Sequence, residues 1–298
     1  MTNKEKARER REKRMQEISL LRTIPYSDRQ RWWSCENVAV VTGSNRGIGF
    51  EIARQLASHG LTVVLTARNV DAGLEAVNSL RNQEGLRVDF HQLDVSDSSS
   101  IKEFACWIKQ TFGGLDILVN NAGVNYNLGS DNSVEFAETV ISINYQGTKN
   151  MIKAMIPLMR PSPQGARIVN VSSRLGRVNG RRNRLANVEL REKLSNPDLL
   201  TEELIDRTVS KFITDYSMSK LAVNGYTRLV AKELLRRQEG EKIYVNSFCP
   251  GWVKTAMTGY AGNMSPEDAA DTGVWLSMVL SEEAVTGKFF AERREINF

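Results

Sequence analysis

From Asn37 onward, short apolar runs alternate with longer stretches in which apolar residues recur every three or four positions. Val38–Val41 is four apolar residues in a row, the pattern of a strand buried on both faces. A glycine-rich turn follows, then an amphipathic stretch to about Ser58 that Gly60 is placed to stop. The same reading predicts strands over 61–66, 87–93, 115–119, 167–171, 242–248 and 287–290. It predicts helices over 71–81, 98–111, 133–159, 216–237 and 266–280. Strands separated by helices of this length need right-handed crossovers, so the pattern predicts an α/β fold with a doubly wound parallel sheet.

The expected organisation is a single domain over 36–298 behind a leader, 1–35, with an inserted segment at 174–213. The insertion holds seven arginines (Arg174, Arg177, Arg181, Arg182, Arg184, Arg191 and Arg207) and a helical piece over 199–212. It leaves the end of a strand, where binding loops of open α/β sheets sit.

Charge changes the picture only at the front. Residues 1–31 hold ten Lys/Arg and five Asp/Glu, leaving 30 of each sign in the rest of the chain. The body is therefore neutral and no nucleic-acid-binding face is expected on it, while the leader could form a basic arm. Glu5, Glu9, Glu12 and Glu17 weigh against a transit peptide, so the leader reads as flexible or as a solvated, fraying helix, and a cytoplasmic location is expected. No run approaches the ~20 apolar residues that span a bilayer, so no membrane partner is expected. Trp32 and Trp33 are expected to cover a sheet edge or to meet a partner. Three cysteines without a CxxC spacing and two histidines argue against disulfides and a metal site, and fit a reducing compartment.

The glycine turn is the first candidate for chemistry. Gly43, Gly47 and Gly49, with Asn45, Arg46 and Ile48 between them, lie directly after a strand and open a helix. That arrangement suits a tight turn, a close backbone approach to phosphate and a helix dipole that attracts an anion, although glycine trios also occur as plain turns. The second strand ends at Arg68 with no acid until Asp71, and Arg46 could reach the same place. An NAD site usually has an acid there, so the expected cofactor is NADPH/NADP+. Asp94 and Val95 are placed to meet the adenine, unless Asp94 or Asp97 instead caps the next helix. Asn121, Ala122 and Gly123 suit close passage of the cofactor ribose.

The second candidate is Tyr216 with Lys220. A residue and its i+4 neighbour share a helix face, and an ammonium there favours the phenolate of a group whose free pKa is about 10. The pair alone occurs on many helix surfaces. Ser172 and Ser173 end a buried-type strand at the ligand-binding rim, where a carbonyl-orienting hydroxyl and an ordinary cap are both open readings. Asn144, disfavoured in a helix interior, either faces solvent or serves a polar task such as a water-mediated relay.

In this order, Thr42–Gly49, Asn120–Gly123, Asn144, Ser173, Tyr216–Lys220 and Pro250–Gly251 resemble the short-chain dehydrogenases/reductases from Asn37 to the C-terminal end, and their carbonyl-reductase branch in particular. The resemblance implies a Rossmann-type fold and a single domain with an inserted helical segment. It implies Tyr216 as acid/base, Lys220 as its partner and cofactor ligand, Ser173 as the group that orients the substrate, and Asn144 as a relay. It also implies that Pro250, Val253 and Thr255 face the nicotinamide, and that the insertion favours a monomer. The expected function is reversible NADPH-dependent reduction of an aldehyde or ketone to an alcohol. The alternatives are a dinucleotide-binding scaffold or sensor that reaches a partner with the leader, and an NAD-dependent alcohol dehydrogenase. Tyr126, Leu128, Met257, Tyr260 and Met264 either shape an apolar substrate pocket or pack as plain loop residues.

Overall fold

The computed structural model describes residues 3–22, 31–126, 134–178, 185, 187–211 and 216–298. Leu128, Arg181, Arg182 and Arg184 therefore lie outside the described residues. In chain order the elements are α1 (Asn3–Arg22), β1 (Val38–Val41), α2 (Gly47–Ser58), β2 (Thr62–Ala67), α3 (Val70–Glu84), β3 (Val88–Gln92), α4 (Ser98–Phe112) and β4 (Ile117–Asn120). There follow α5 (Val134–Ile141), α6 (Thr148–Met155), β5 (Ala166–Val171), α7 (Val188–Ser195), α8 (Glu202–Lys211) and α9 (Tyr216–Leu234). The chain closes with β6 (Ile243–Phe248), α10 (Pro266–Met278), β7 (Phe289–Ala291) and β8 (Arg294–Glu295).

The strands form one sheet in the order β3-β2-β1-β4-β5-β6-β7-β8, parallel except for the β7–β8 hairpin. The order reverses between β1 and β4, where Ala39 pairs with Ile117 and, on its other side, with Val63. That switch opens a crevice at the carboxyl ends of the strands. The central strands β1 and β4 are buried at every position because both faces of the sheet are covered there, whereas the edge strands β3 and β8 are partly or fully exposed. Val38 and Val40 enter a core with α4 and α9, whereas Ala39 and Val41 enter a second core with α2, α3 and α10.

Local chemistry sets most boundaries. Asn69 accepts from the Ala72 amide to start α3, Asp97 does the same for Ser99 in α4, and Ser265 for Asp268 in α10. Gly85 and Gly113 end α3 and α4 with φ of 66° and 73°, a left-handed cap that costs other residues more.

The structure departs from the sequence expectations at four places. The helix expected over 133–159 is interrupted by a wide π turn at Ser142–Gly147, because side chains in that turn are held by partners on other elements. The insertion contains α7 as well as α8. The chain ends in a hairpin whose turn residues Glu292 and Arg293 both have positive φ, fixed by Arg293 pairing with Asp271. Trp32 and Trp33 do not cover a sheet edge, since the edges are β3 and β8. Trp33 is buried in the α2/α10 core and Trp32 donates to the Met278 carbonyl at 3.0 Å, its ring lying 5.2 Å from the buried Arg167 guanidinium. Ahead of β1, α1 carries an exposed Arg8–Glu12 pair, and its Glu17 meets Arg294 of β8. Among the described residues no helix is long and apolar enough to cross a membrane, and no cluster of potential metal ligands occurs.

Candidate active site

The crevice begins at the end of β1. Thr42 Oγ1 accepts the amides of Asn121 and Ala122, each at 3.0 Å, and the Asn121 side-chain amide donates back to the carbonyls of Thr42 (2.9 Å) and Gly43 (2.8 Å). These bonds fasten the glycine turn to the segment after β4. They also leave no room for side chains: a Cβ on Gly43 would stand 2.8 Å from the Ala122 Cα, and one on Gly49 2.3 Å from the Asn121 amide. At the start of α2 no side chain caps the helix and no acid sits in the first turn, whereas α3 and α4 are both capped. Its first amides thus remain free to receive an anion, which fits a dinucleotide pyrophosphate.

Arg46 and Arg68 are exposed, and neither side chain is ion-paired among the described residues. Asp94 Oδ1 accepts from the Ser96 amide (2.9 Å) and hydroxyl (2.6 Å), while Asp97 takes the capping role. Val95 packs against the π turn, since a Cβ on Gly147 would lie 2.8 Å from its Cγ2. On the other side, Thr255 Cγ2 comes within 3.4 Å of the Cβ position of Gly47, so the segment Cys249–Thr255 closes onto the glycine turn. Val253 in that segment is buried.

Tyr216 is the first residue of α9 and Lys220 lies one turn further along the same face. The Lys220 ammonium sits 5.5 Å from the Tyr216 ring centroid and donates to the Val171 carbonyl at 2.7 Å. Val171 ends β5, two residues before Ser173, so one hydrogen bond ties the lysine to the strand that presents the serine. Ser172 adds a second tie by donating to the Lys220 carbonyl at 3.2 Å. Ser173 Oγ accepts the Leu175 amide at 3.2 Å and starts a short 3-10 turn over Arg174–Gly176. Both open readings of that serine are therefore compatible: as a cap it accepts, and its O–H remains a donor.

Burial, more than the lysine, governs the protonation of the pair. It pushes the Tyr216 phenol above its ordinary range, and Cys249 adds electrostatically in the same direction. It pulls Lys220 down to about 8, against a smaller opposing effect of Cys249. Near neutral pH the site thus holds a protonated phenol beside an ammonium.

Asn144 lies in the π turn, fully buried. Its Oδ1 accepts the Val124 amide (2.8 Å), and its Nδ2 donates to the Val124 carbonyl and to Ser219 Oγ, both at 3.0 Å. Ser219 in turn donates to the Tyr216 carbonyl at 2.7 Å. Both Nδ2 hydrogens are thereby committed, and any further bond must go to Oδ1 or to the main-chain oxygen, which already accepts from Thr148 Oγ1 at 2.8 Å. Wide turns of this kind frequently mark functional sites.

Several contributors escaped sequence reasoning. Ser219 sits between Tyr216 and Lys220, and only its contact with Asn144 reveals its use. Gly176 is close-packed against Lys220, and its carbonyl receives the Asn224 amide at 3.3 Å. Cys249 acts electrostatically on both the tyrosine and the lysine. The helices α7 and α8 of the insertion run along α6 and α9: Leu200 and Ile205 pack on Gly225, and Arg228 of α9 donates to the Leu194 and Ser195 carbonyls at the end of α7. Residues 174–178 alone of its described part follow Ser173 directly.

The short chain dehydrogenase family model matches residues 37–184 and 207–265. The (+)-neomenthol dehydrogenase of Arabidopsis thaliana is 39% identical over 299 residues, spanning 87% of this chain and 97% of that one. Carbonyl reductase [NADPH] 1 of Sus scrofa is 37% identical over 281 residues, spanning 88% of this chain and 94% of that one. Among solved structures, salutaridine reductase from Papaver somniferum is 36% identical and superposes with a TM-score of 0.75 over 85% of this chain and 99% of its own.

Proposed function

The chain belongs to the short chain dehydrogenase family, and on that premise we propose that it reduces an aldehyde or ketone with NADPH, reversibly toward the alcohol, with Tyr216 as acid/base. The observation that carries this reading is that Tyr216 and Lys220 share one face of α9 and that Lys220 is bonded to Val171 and Ser172, the two residues leading into Ser173 at the carboxyl end of β5. The chain's similarity to a carbonyl reductase that uses NADPH and to a neomenthol dehydrogenase supports it.

Bound NADPH supplies the hydride. The uncapped amides at Gly47–Gly49 would hold its pyrophosphate, Arg46 and Arg68 its 2′-phosphate, and Asp94, Val95 and Asn121–Gly123 its adenosine and ribose side. Pro250, Val253 and Thr255 would line the nicotinamide. Tyr216 gives its proton to the carbonyl oxygen as that oxygen gains charge, and the Ser173 hydroxyl donates to the same atom. Lys220 has one ammonium hydrogen on Val171, so two remain to hold a ribose and to stabilise the phenolate left behind. Asn144, through its remaining oxygen lone pairs, would anchor a water that returns the proton. Positioned acid catalysis of this kind contributes about 10² to 10⁴-fold.

The substrate we propose is a medium-sized, largely apolar carbonyl compound. Tyr126, stacked on Phe136 at 5.0 Å, and Trp252, Met257 and Tyr260 remain exposed on the segments after Gly123 and Pro250. Because α7 and α8 cover α6 and α9, the protein is proposed to be a monomer, which light scattering tests. Its three free cysteines fit the cytoplasm, which a tagged full-length chain would test. The primary experiment follows NADPH absorbance with a panel of aldehydes and cyclic ketones. Cofactor that binds but is consumed with none of them would sink the reductase reading.

A further inference from the structure

The residue after Asn144 anchors the wide turn. Tyr145 is fully buried, its ring edge-on to Tyr226 of α9 at 6.2 Å. Its hydroxyl donates to Asp206 Oδ1 at 2.6 Å, and Asp206 belongs to α8, inside the inserted segment. Lys149, four residues on, donates to both Asp206 oxygens at 2.8 and 2.9 Å and places its ammonium 5.1 Å from the Tyr145 ring centroid. Glu202, one turn before Asp206, adds contacts to Lys149 at 3.3 Å and Lys153 at 2.6 Å.

Asp206 therefore binds one residue inside the π turn and one just beyond it, spanning the point where the backbone returns from π to α geometry. A wide turn is a rare departure from regular helix and persists only where side-chain contacts favour it. On its other face the same turn is held by Asn144, clamped to Val124 and Ser219. Burial, followed by the bond to Asp206, pushes the Tyr145 phenol far above its ordinary range, so it stays a donor at any working pH.

We propose that Asp206 is a positioning residue for the reaction: through Tyr145 it fixes the register of the turn that presents Asn144. The inserted segment then belongs to the catalytic machinery and is more than a cover over α9. This rests on the reading of Asn144 as a group that serves proton return.

The test uses the full-length enzyme and a two-by-two set: wild type, Tyr145→Phe, Asn144→Ala and the double variant. Turnover, KM for NADPH and thermal midpoint are read for each. Losing one hydrogen bond to a charged acceptor should lower kcat about 5- to 30-fold in Tyr145→Phe, with KM for NADPH unchanged. In the Asn144→Ala background the same change should cost no further turnover, because its effect runs through Asn144. Asp206→Asn, which keeps an acceptor, should retain most of kcat where Asp206→Ala does not. An unchanged kcat in Tyr145→Phe, or an equal fold loss in both backgrounds, would overturn the proposal while leaving the reductase reading intact. Unchanged kcat in Asn144→Ala would instead overturn the relay reading on which it rests.

Discussion

Gly176 and Lys220 meet backbone to backbone: a Cβ added to the glycine would stand 2.4 Å from the carbonyl carbon of the lysine and 2.5 Å from its oxygen. The turn that follows Ser173 can lie this close to α9 only without a side chain. Ser173 and the tyrosine–lysine face are thus set against each other by an absent methyl. Gly176→Ala should force the two apart, costing about 1–3 kcal/mol of stability. Turnover should fall more than NADPH affinity does, since the glycine turn at Gly43–Gly49 is untouched. Denaturant melts and cofactor titration on the same preparation check both halves.

Tyr216→Phe removes the proton donor and leaves the ring in place. Reductive turnover should drop by about 10² to 10⁴-fold. The dissociation constant for NADPH, measured by fluorescence titration, should stay close to wild type. Retained turnover would take Tyr216 out of its proposed role.

Lys220 titrates near 8, below the ordinary 10.5, because burial disfavours its charge. Between those values the folded chain has released a proton that the unfolded chain still binds, so this group makes stability rise with pH across the window. Lys220→Met should flatten that part of the rise, seen as a smaller difference between melts below 8 and near 10 than in wild type. In catalysis the sign is opposite. The ammonium disappears as pH passes through about 8, so reductive kcat should decline there, and Lys220→Arg should lose that limb.

Arg68 is exposed just after β2 and has no carboxylate partner among the described residues. Arg68→Asp should weaken NADPH by about 1.4–2.8 kcal/mol, roughly 10- to 100-fold, and improve the relative use of NADH. The ratio of kcat/KM values for the two cofactors is the measurement. An unchanged ratio would move the 2′-phosphate away from this arginine.

The sheet was readable because period and burial leave a direct mark: four consecutive apolar residues at Val38–Val41 mean a strand covered on both faces, and the structure has that strand between β2 and β4. The caps were readable for the same reason, as Asp97 and Gly85 act within a few residues of themselves. The π turn was not. Nothing in Ser142–Gly147 breaks helical periodicity, and the turn depends on Val124, Ser219 and Asp206, which are distant in sequence. The sheet edge was the wrong place for the tryptophan pair because its aromatic surface announces burial without saying against which element.

By itself the sequence determined which residue types were available and in what order: glycines after a strand, a hydroxyl at a strand end, a tyrosine and lysine on one helix face. Those are local properties, set by side-chain period and backbone freedom. Only the tertiary structure decided that Asn144 spends both amide hydrogens on Val124 and Ser219, that Gly176 lies under Lys220, and that burial, more than the neighbouring ammonium, sets the protonation of Tyr216. Contacts and desolvation join parts of the chain far apart in sequence, and their strength depends on distances that no local pattern encodes.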